Sequence, residues 1–196
     1  RAPRLRVLAR TGVGVDQVDL QAATARGIPV VITPGSGTRA VAEGVFALAL
    51  HLVKRLHPFT DLVRHGRWAE RSQIVMGDLD GATIGIVGYG RIGQRVGELA
   101  RAFGMNVLTY DPFSAPPPEI ASADLSVLAS ASDVVTLHVP LTEETHHLVD
   151  NAFLDRVRPG TILINCGRGG LVDLDAAFAA LQSGRLAGVG LDVFEN

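Results

Sequence analysis

The residues Gly88-Tyr89-Gly90-Arg91-Ile92-Gly93 form the first pattern in this chain from which chemistry can be read. Glycine at Gly88 permits a tight turn, and glycine at Gly90 lets a diphosphate approach the backbone. Glycine at Gly93 lets a helix pack closely on a strand, and the amides that open the helix face the phosphates. The pattern follows the apolar run Ile84-Gly85-Ile86-Val87, and Asp111 closes the next apolar run, 18 residues after Gly93. A carboxylate at that place accepts hydrogen bonds from the hydroxyls of an adenosine ribose and repels a 2′-phosphate. The pattern therefore predicts a dinucleotide site that takes NAD over NADP. Arg168 stands between Gly167 and Gly169-Gly170 with little bulk around it. Its guanidinium suits a two-pronged grip on a carboxylate, with a surface arginine in a turn as the plainer alternative.

Strands and helices must bring these residues together. From Thr83 onward the apolar runs alternate with helical stretches. Strands are predicted at Ile84–Val87, Val107–Tyr110, Asp133–His138, Ile162–Asn165 and Val189–Val193, and helices at Arg91–Phe103, Asn151–Arg156 and Asp173–Gln182. Pro116-Pro117-Pro118 is read as loop. Such alternation implies right-handed parallel crossovers and an α/β, doubly wound parallel sheet, a Rossmann-type domain. Ligands bind beyond the carboxyl ends of strands in such sheets. Gly88, Asp111, His138-Val139-Pro140, Asn165-Cys166-Gly167-Arg168 and Asp192 would all face that one edge.

The earlier part reads differently. Leu5–Ala9 and Ile28–Ile32 are expected as buried strands around a short helix at Asp19–Ala25. Thr38 is expected to cap a long helix reaching about Arg55, apolar nearly all round, followed after Pro58 by a second helical stretch to Arg64. Residues 1–35 read as a remnant of another α/β unit, 36–73 as a helical segment and 74–196 as the main, NAD-binding domain. The chain opens and closes abruptly at strands, which reads as truncation at both ends.

Composition narrows the classes. The chain has 196 residues, 47% hydrophobic and 19% charged, enough apolar surface for a core and too much for a disordered chain. Its net charge is −2, and Lys54 is the one lysine, so no basic field argues for nucleic acid or a membrane surface. The longest apolar run, Val45–Val53, is far shorter than the ~20 residues of a spanning helix. The single cysteine, Cys166, fits a cytoplasmic setting, and no signal peptide is read. No histidine pairs with cysteines at zinc-like spacing, so no metal is expected.

The chain resembles the D-isomer-specific 2-hydroxyacid dehydrogenase family, closest to its phosphoglycerate dehydrogenase-like members. The resemblance rests on Gly12-Val13-Gly14-Val15-Asp16 with Asp19, Val41-Ala42-Glu43, Gly88–Gly93 and Tyr110-Asp111-Pro112. It continues through His138-Val139-Pro140-Leu141-Thr142, Asn165–Asp173 and Gly190–Glu195. It implies that residues 1–35 are a remnant of a second, flavodoxin-like substrate domain and 36–73 an interdomain helical segment. It implies hydride transfer between NAD(H) and a D-2-hydroxy or 2-oxo acid, with 3-phosphoglycerate suggested by likeness of the cofactor half. Arg91 and Ile92 would offer amides to the diphosphate, and Val139 and Pro140, after His138, would flank the adenine side. Cys166, Gly167 and Arg168 would line the nicotinamide pocket, with Asp192 accepting from the carboxamide. Arg168 would be the catalytic arginine, and the Arg10–Gly14 loop would turn amides toward the substrate carboxylate. Val13, Gln17 and Thr33 depart from the usual residues, the last two with little expected consequence.

In the family pattern Glu-x-Glu-Pro, Glu195-Asn196 supplies the first positions, so Glu195 is not the catalytic glutamate. That glutamate and the proton-exchanging histidine are expected further on, leaving this chain able to bind NAD with little turnover. His146 and His147 are expected in a solvent-exposed loop, and Cys166 as a pocket residue rather than a nucleophile. Trp68 is expected at a homodimer contact. Two rivals share part of the pattern: an NAD-sensing corepressor-type binding protein of the same fold, and an adenosylhomocysteinase-type NAD domain.

Overall fold

A computed structural model describes residues 2–195; Arg1 and Asn196, where the expected outer domain limits and the second position of the Glu-x-Glu-Pro pattern fall, lie outside the described residues. The chain forms two compact units, divided between Ala40 and Val41.

In the first unit, β1 (Leu8–Arg10) and β2 (Val30–Ile32) pair in parallel, with α1 (Leu20–Ala25) on the crossover. Asp19 caps that helix by accepting from the Ala22 amide at 2.8 Å. Both strands are shorter than the apolar runs that predict them, and they are not buried: Ala9 and Val31 are exposed. Two strands and a six-residue helix bring too little apolar surface to cover each other within this unit. Thr33 takes part in holding the loop after β1. Its Oγ1 accepts from the Gly12 amide at 2.7 Å, while its own amide donates to the Gly12 carbonyl at 3.0 Å, so it pins the Arg10–Gly14 loop.

The second unit is built on six parallel strands in the order β5-β4-β3-β6-β7-β8. These are β3 (Thr83–Val87), β4 (Asn106–Tyr110), β5 (Ala121–Ser122), β6 (Val134–Leu137), β7 (Thr161–Asn165) and β8 (Leu186–Leu191). Chain order runs outward from β3 through β4 to β5, then returns to β6 on the other side of β3. The switch point therefore lies between β3 and β6. Side chains alternate along each strand. Ile84, Ile86, Val134, Ile162 and Ile164 meet α2 (Thr38–Val53) and α4 (Arg91–Ala102) on one face. Val87, Val135, Leu137 and Leu163 meet α5 (Leu125–Ala131), α6 (Asn151–Leu154) and α7 (Leu174–Gln182) on the other. Burial on both faces is why these strands read as unbroken apolar runs.

The long helix α2 is apolar nearly all round, as expected, but one stripe of it is exposed. Ala42, Val45, Phe46 and Ala49 are buried, while Glu43, Ala47 and His51 share an exposed stripe. Phe46 stacks on Phe103 with ring centroids 5.0 Å apart. Helix α3 (Leu56–Arg64) starts before Pro58, which sits in the first turn where no intrahelical amide is required. Helix α5, which follows Asp124, stands where the sequence pattern predicts no element. It is short, and small residues blur its apolar stripe, yet the right-handed return to β6 requires an element there. None of the helices of the described residues is long and apolar enough to cross a membrane.

Candidate cofactor site at the carboxyl edge

The parallel register places the carboxyl ends of β3, β4, β6, β7 and β8 on one edge. Gly88, Asp111, His138, the Cys166–Arg168 turn and Asp192 all follow those ends directly. The sequence expectation of a shared edge is thus met by topology.

The glycine turn is the best-defined part. Gly88 has φ +94°, a conformation that L side chains rarely adopt, and its amide donates to the Tyr110 carbonyl at 2.8 Å. A Cβ on Gly88 would stand 2.7 Å from the His138 carbonyl carbon and 2.8 Å from the Val139 nitrogen. The turn is therefore pressed against the first peptide after β6, across the switch point. Tyr89 is buried in the core between the sheet and α4, which anchors the turn from below. Gly90 opens α4 with no side-chain cap, and the space around its missing Cβ is clear for 4 Å. An uncapped start of a twelve-residue helix, with open space before it, is an anion-binding arrangement.

Asp111 does more than the sequence reading assigned to it. Its Oδ2 accepts from the Tyr89 amide at 2.7 Å, and its Oδ1 from the Phe113 and Ser114 amides at 2.8 and 3.1 Å. One carboxylate thus ties the end of β4 to the glycine turn. A carboxylate offers about four acceptor positions, so these bonds leave room for a ribose hydroxyl.

His138 is held by Thr136, whose Oγ1 lies 3.0 Å from Nε2, while its buried Nδ1 has no hydrogen-bond partner among the described residues. Burial pushes the imidazole from 6.5 down to about 4. The unfolded chain takes up this proton near pH 6.5 and the folded chain only near 4. The contribution is complete above pH 6.5 and is lost as pH falls toward 4, by up to about 3 kcal/mol. Urea unfolding of the wild type and of His138→Gln across that window is expected to show a steeper fall in the wild type. Equal slopes would refute the buried neutral imidazole.

The turn after β7 is clamped by Asn165. Its Nδ2 donates to the Arg168 carbonyl at 2.8 Å, and its Oδ1 accepts from the Gly167 amide at 3.0 Å. Arg168 is half-buried and extended, with Nη1 donating to the Gly167 carbonyl at 2.9 Å. The need for glycine at Gly169 becomes plain here. A Cβ would meet the Phe194 carbonyl carbon at 2.0 Å, so the chain after β8 lies directly on this turn. Burial, helped by the negative charge of Asp192, pushes the Cys166 thiol up to about 11. A thiol that holds its proton at neutral pH suits a pocket wall and not a nucleophile.

The histidine pair is not simply solvated. His146 Nε2 and His147 Nε2 each lie 3.0 Å from an oxygen of Glu195. Nothing in the spacing of these residues announced the cluster, since Glu195 lies 48 residues beyond His147.

A dinucleotide fits these features on structural grounds: the open glycine turn, the uncapped helix start and the anchored carboxylate stand at one switch point. Comparison with known proteins agrees. The family profile described as "D-isomer specific 2-hydroxyacid dehydrogenase, NAD binding domain" matches residues 46–196. A glyoxylate reductase of Thermococcus litoralis is 42% identical over all of this chain and 62% of its own length. A D-3-phosphoglycerate dehydrogenase of Methanocaldococcus jannaschii is 39% identical over all of this chain and 38% of its own. The crystal structure of D-lactate dehydrogenase from Aquifex aeolicus, complexed with NAD and lactic acid, superposes with a TM-score of 0.90 at 40% identity. That match covers 99% of this chain and 59% of the crystallised one. The chain therefore spans less than two thirds of the length of each of these relatives, from 38% to 62%.

Proposed function

The chain belongs to the D-isomer specific 2-hydroxyacid dehydrogenase family, and from that premise we propose that it is the NAD-binding part of a dehydrogenase acting on small D-2-hydroxy or 2-oxo acids. The observation that carries this reading is the conjunction at one sheet edge of the Gly88–Gly93 turn, the Asp111 carboxylate and the Arg168 turn. The relatives compared here bear enzyme names, which favours catalysis over a corepressor role, and family membership sets aside the adenosylhomocysteinase-type reading.

NAD, when bound, supplies the site that accepts or returns the hydride. The protein supplies the rest. The amides of Arg91 and Ile92 receive the diphosphate at the uncapped start of α4, where the helix dipole favours negative charge. Asp111 holds the glycine turn and offers its remaining acceptor capacity to the adenosine ribose. Val139 and Pro140, beyond His138, wall the adenine side. Cys166 and Gly167 wall the nicotinamide side, and Asp192 orients the carboxamide. The Arg168 guanidinium grips the substrate carboxylate and draws electron density from the 2-oxo group.

We assign the proton exchange to none of the described histidines. His138 is half-buried with Nε2 on Thr136 Oγ1, and His146 and His147 bond Glu195. A histidine elsewhere in the whole protein fills that role in this reading.

Substrate identity is left to the whole protein as well. A phosphoglycerate dehydrogenase and a glyoxylate reductase match this half about equally, so likeness here does not choose 3-phosphoglycerate. The reading further takes the whole protein to be a cytoplasmic homodimer. Pairing would run through the α2–α3 region, where Trp68 is exposed beside Phe59 at 6.0 Å.

Calorimetric titration with both cofactors tests the reading. NAD is expected to bind more tightly than NADP. Asp111→Ala is expected to weaken NAD by about 10- to 100-fold, the loss of a hydrogen bond to a charged group, and to narrow the discrimination. Tighter binding of NADP by the wild type would remove Asp111 from the ribose.

A further inference from the structure

Adjacent residues in an extended chain point to opposite sides, so neighbouring histidines do not ordinarily share one ligand. His146 and His147 do share one. His147 has φ +51°, a left-handed conformation uncommon for a residue with a Cβ. Its amide donates to the Gly170 carbonyl at 2.7 Å, which fixes the turn. The two rings consequently stack, with centroids 4.0 Å apart and planes 24° from parallel.

Glu195 is delivered to them by the chain that lies over Gly169 and Gly170. A Cβ on Gly170 would meet Glu195 Oε1 at 3.3 Å and His146 Cδ2 at 3.4 Å. The ligand-type atoms of the three side chains all lie within 4.8 Å of one another.

We propose that His146, His147 and Glu195 form a binding site for a divalent transition-metal ion of the zinc type. Zinc takes imidazole nitrogens and carboxylate oxygens at about 2.0–2.2 Å, which sets neighbouring ligand atoms of a tetrahedron about 3.3–3.5 Å apart. His146 Nε2 stands 3.0 Å from Oε1 of Glu195 and His147 Nε2 3.0 Å from Oε2, and one ligand atom from each residue lies within 4.8 Å of the others, so side-chain rotation brings the three onto one ion. Two imidazoles and one carboxylate form a donor set suited to zinc, whereas calcium and magnesium favour oxygen alone. Each Nε2 presents its lone pair to the ion once its proton is carried on Nδ1, so binding replaces both hydrogen bonds to Glu195. His146 and Glu195 are exposed and His147 is half-buried, which leaves the remaining coordination positions to water. The ion would tie the loop after β6 to the segment after β8, on the same sheet edge as Arg168. The site is independent of the dehydrogenase reading, since none of its residues has a role there.

The test is calorimetric titration of the untagged, chelator-stripped chain with zinc chloride at neutral pH, repeated with cobalt followed by visible absorption. One ion per chain is expected. His146→Ala, His147→Asn and Glu195→Gln should each weaken it at least about tenfold, the loss seen when even an outer partner of a metal ligand is removed. Asparagine tolerates the left-handed backbone, so His147→Asn keeps the turn, and far-ultraviolet circular dichroism checks the fold of each variant. His57→Ala removes the surface pair with Asp61 at 3.1 Å and should leave binding unchanged. Absence of zinc binding, affinity equal to that of the wild type in the three ligand variants, or loss in His57→Ala alone would each overturn the proposal. The first outcome would leave a histidine–glutamate clasp without metal.

Discussion

Arg168→Ala in the whole protein is expected to lower kcat/KM for the 2-oxo acid by about a hundred- to ten-thousandfold, with a much smaller change in NAD affinity. The magnitude follows from the grip itself. A guanidinium on a carboxylate makes parallel charge-assisted hydrogen bonds, each contributing about 1.5–3 kcal/mol. Losing two of them corresponds to the stated range in rate. On the proposed reading, the turn that carries the arginine is already held in place. Asn165 fastens both sides of the turn through Gly167 and the Arg168 carbonyl, and Arg168 is half-buried on extended backbone, its Nη1 donating to the Gly167 carbonyl at 2.9 Å. Arg168→Lys keeps the charge without the planar fork and should restore only part of the loss. Steady-state kinetics with separated kcat and KM is the measurement. A variant within tenfold of wild type would take substrate binding away from Arg168.

Gly93→Ala is expected to remove NAD binding and to lower stability by about 3 kcal/mol or more. A Cβ at this position would stand 2.1 Å from the Gly88 carbonyl oxygen and 3.2 Å from Ile86 Cγ2. The nearest atom is backbone, with no flexible end to swing aside, so the start of α4 must lift from the turn. Overpacking of this kind costs about 1–3 kcal/mol in ordinary cores, and more where the obstacle is rigid. The turn that would receive the diphosphate is the part displaced, so binding and stability fall together. Gly44→Ala in α2 is the matched control. Nothing lies within 4 Å of the position a Cβ would take there. Alanine in a helix interior is favoured over glycine by about 1 kcal/mol, so this variant should gain stability and bind NAD as before. Urea unfolding with NAD titration decides the pair. A Gly93→Ala chain as stable as wild type, with unchanged affinity, would mean that the helix does not pack on the turn as described.

The glycine pattern was legible because each of its glycines answers a local steric demand, and such demands are written in residue type and spacing. The strands of the second unit were legible for a related reason: helices on both faces make each strand an apolar run. Helix α5 escaped notice because Leu125–Ala131 mixes small and polar residues in a short span. The strands of the first unit were overrated as buried, since an apolar run reports what a residue prefers and not how much surface arrives to cover it. The hydrogen bond between Thr33 and Gly12 is not legible in the sequence because it spans 21 residues.

The sequence by itself determined the fold class, the family, and the glycines, carboxylate and arginine at the sheet edge. Those are properties of local sterics and of order along the chain. Only the tertiary structure decided that Asp111 holds the Tyr89 amide, that His138 is kept neutral by burial, and that His146, His147 and Glu195 converge. Each of these depends on parallel strands bringing distant loops to the same edge, and spacing in a linear chain carries no measure of distance across a sheet.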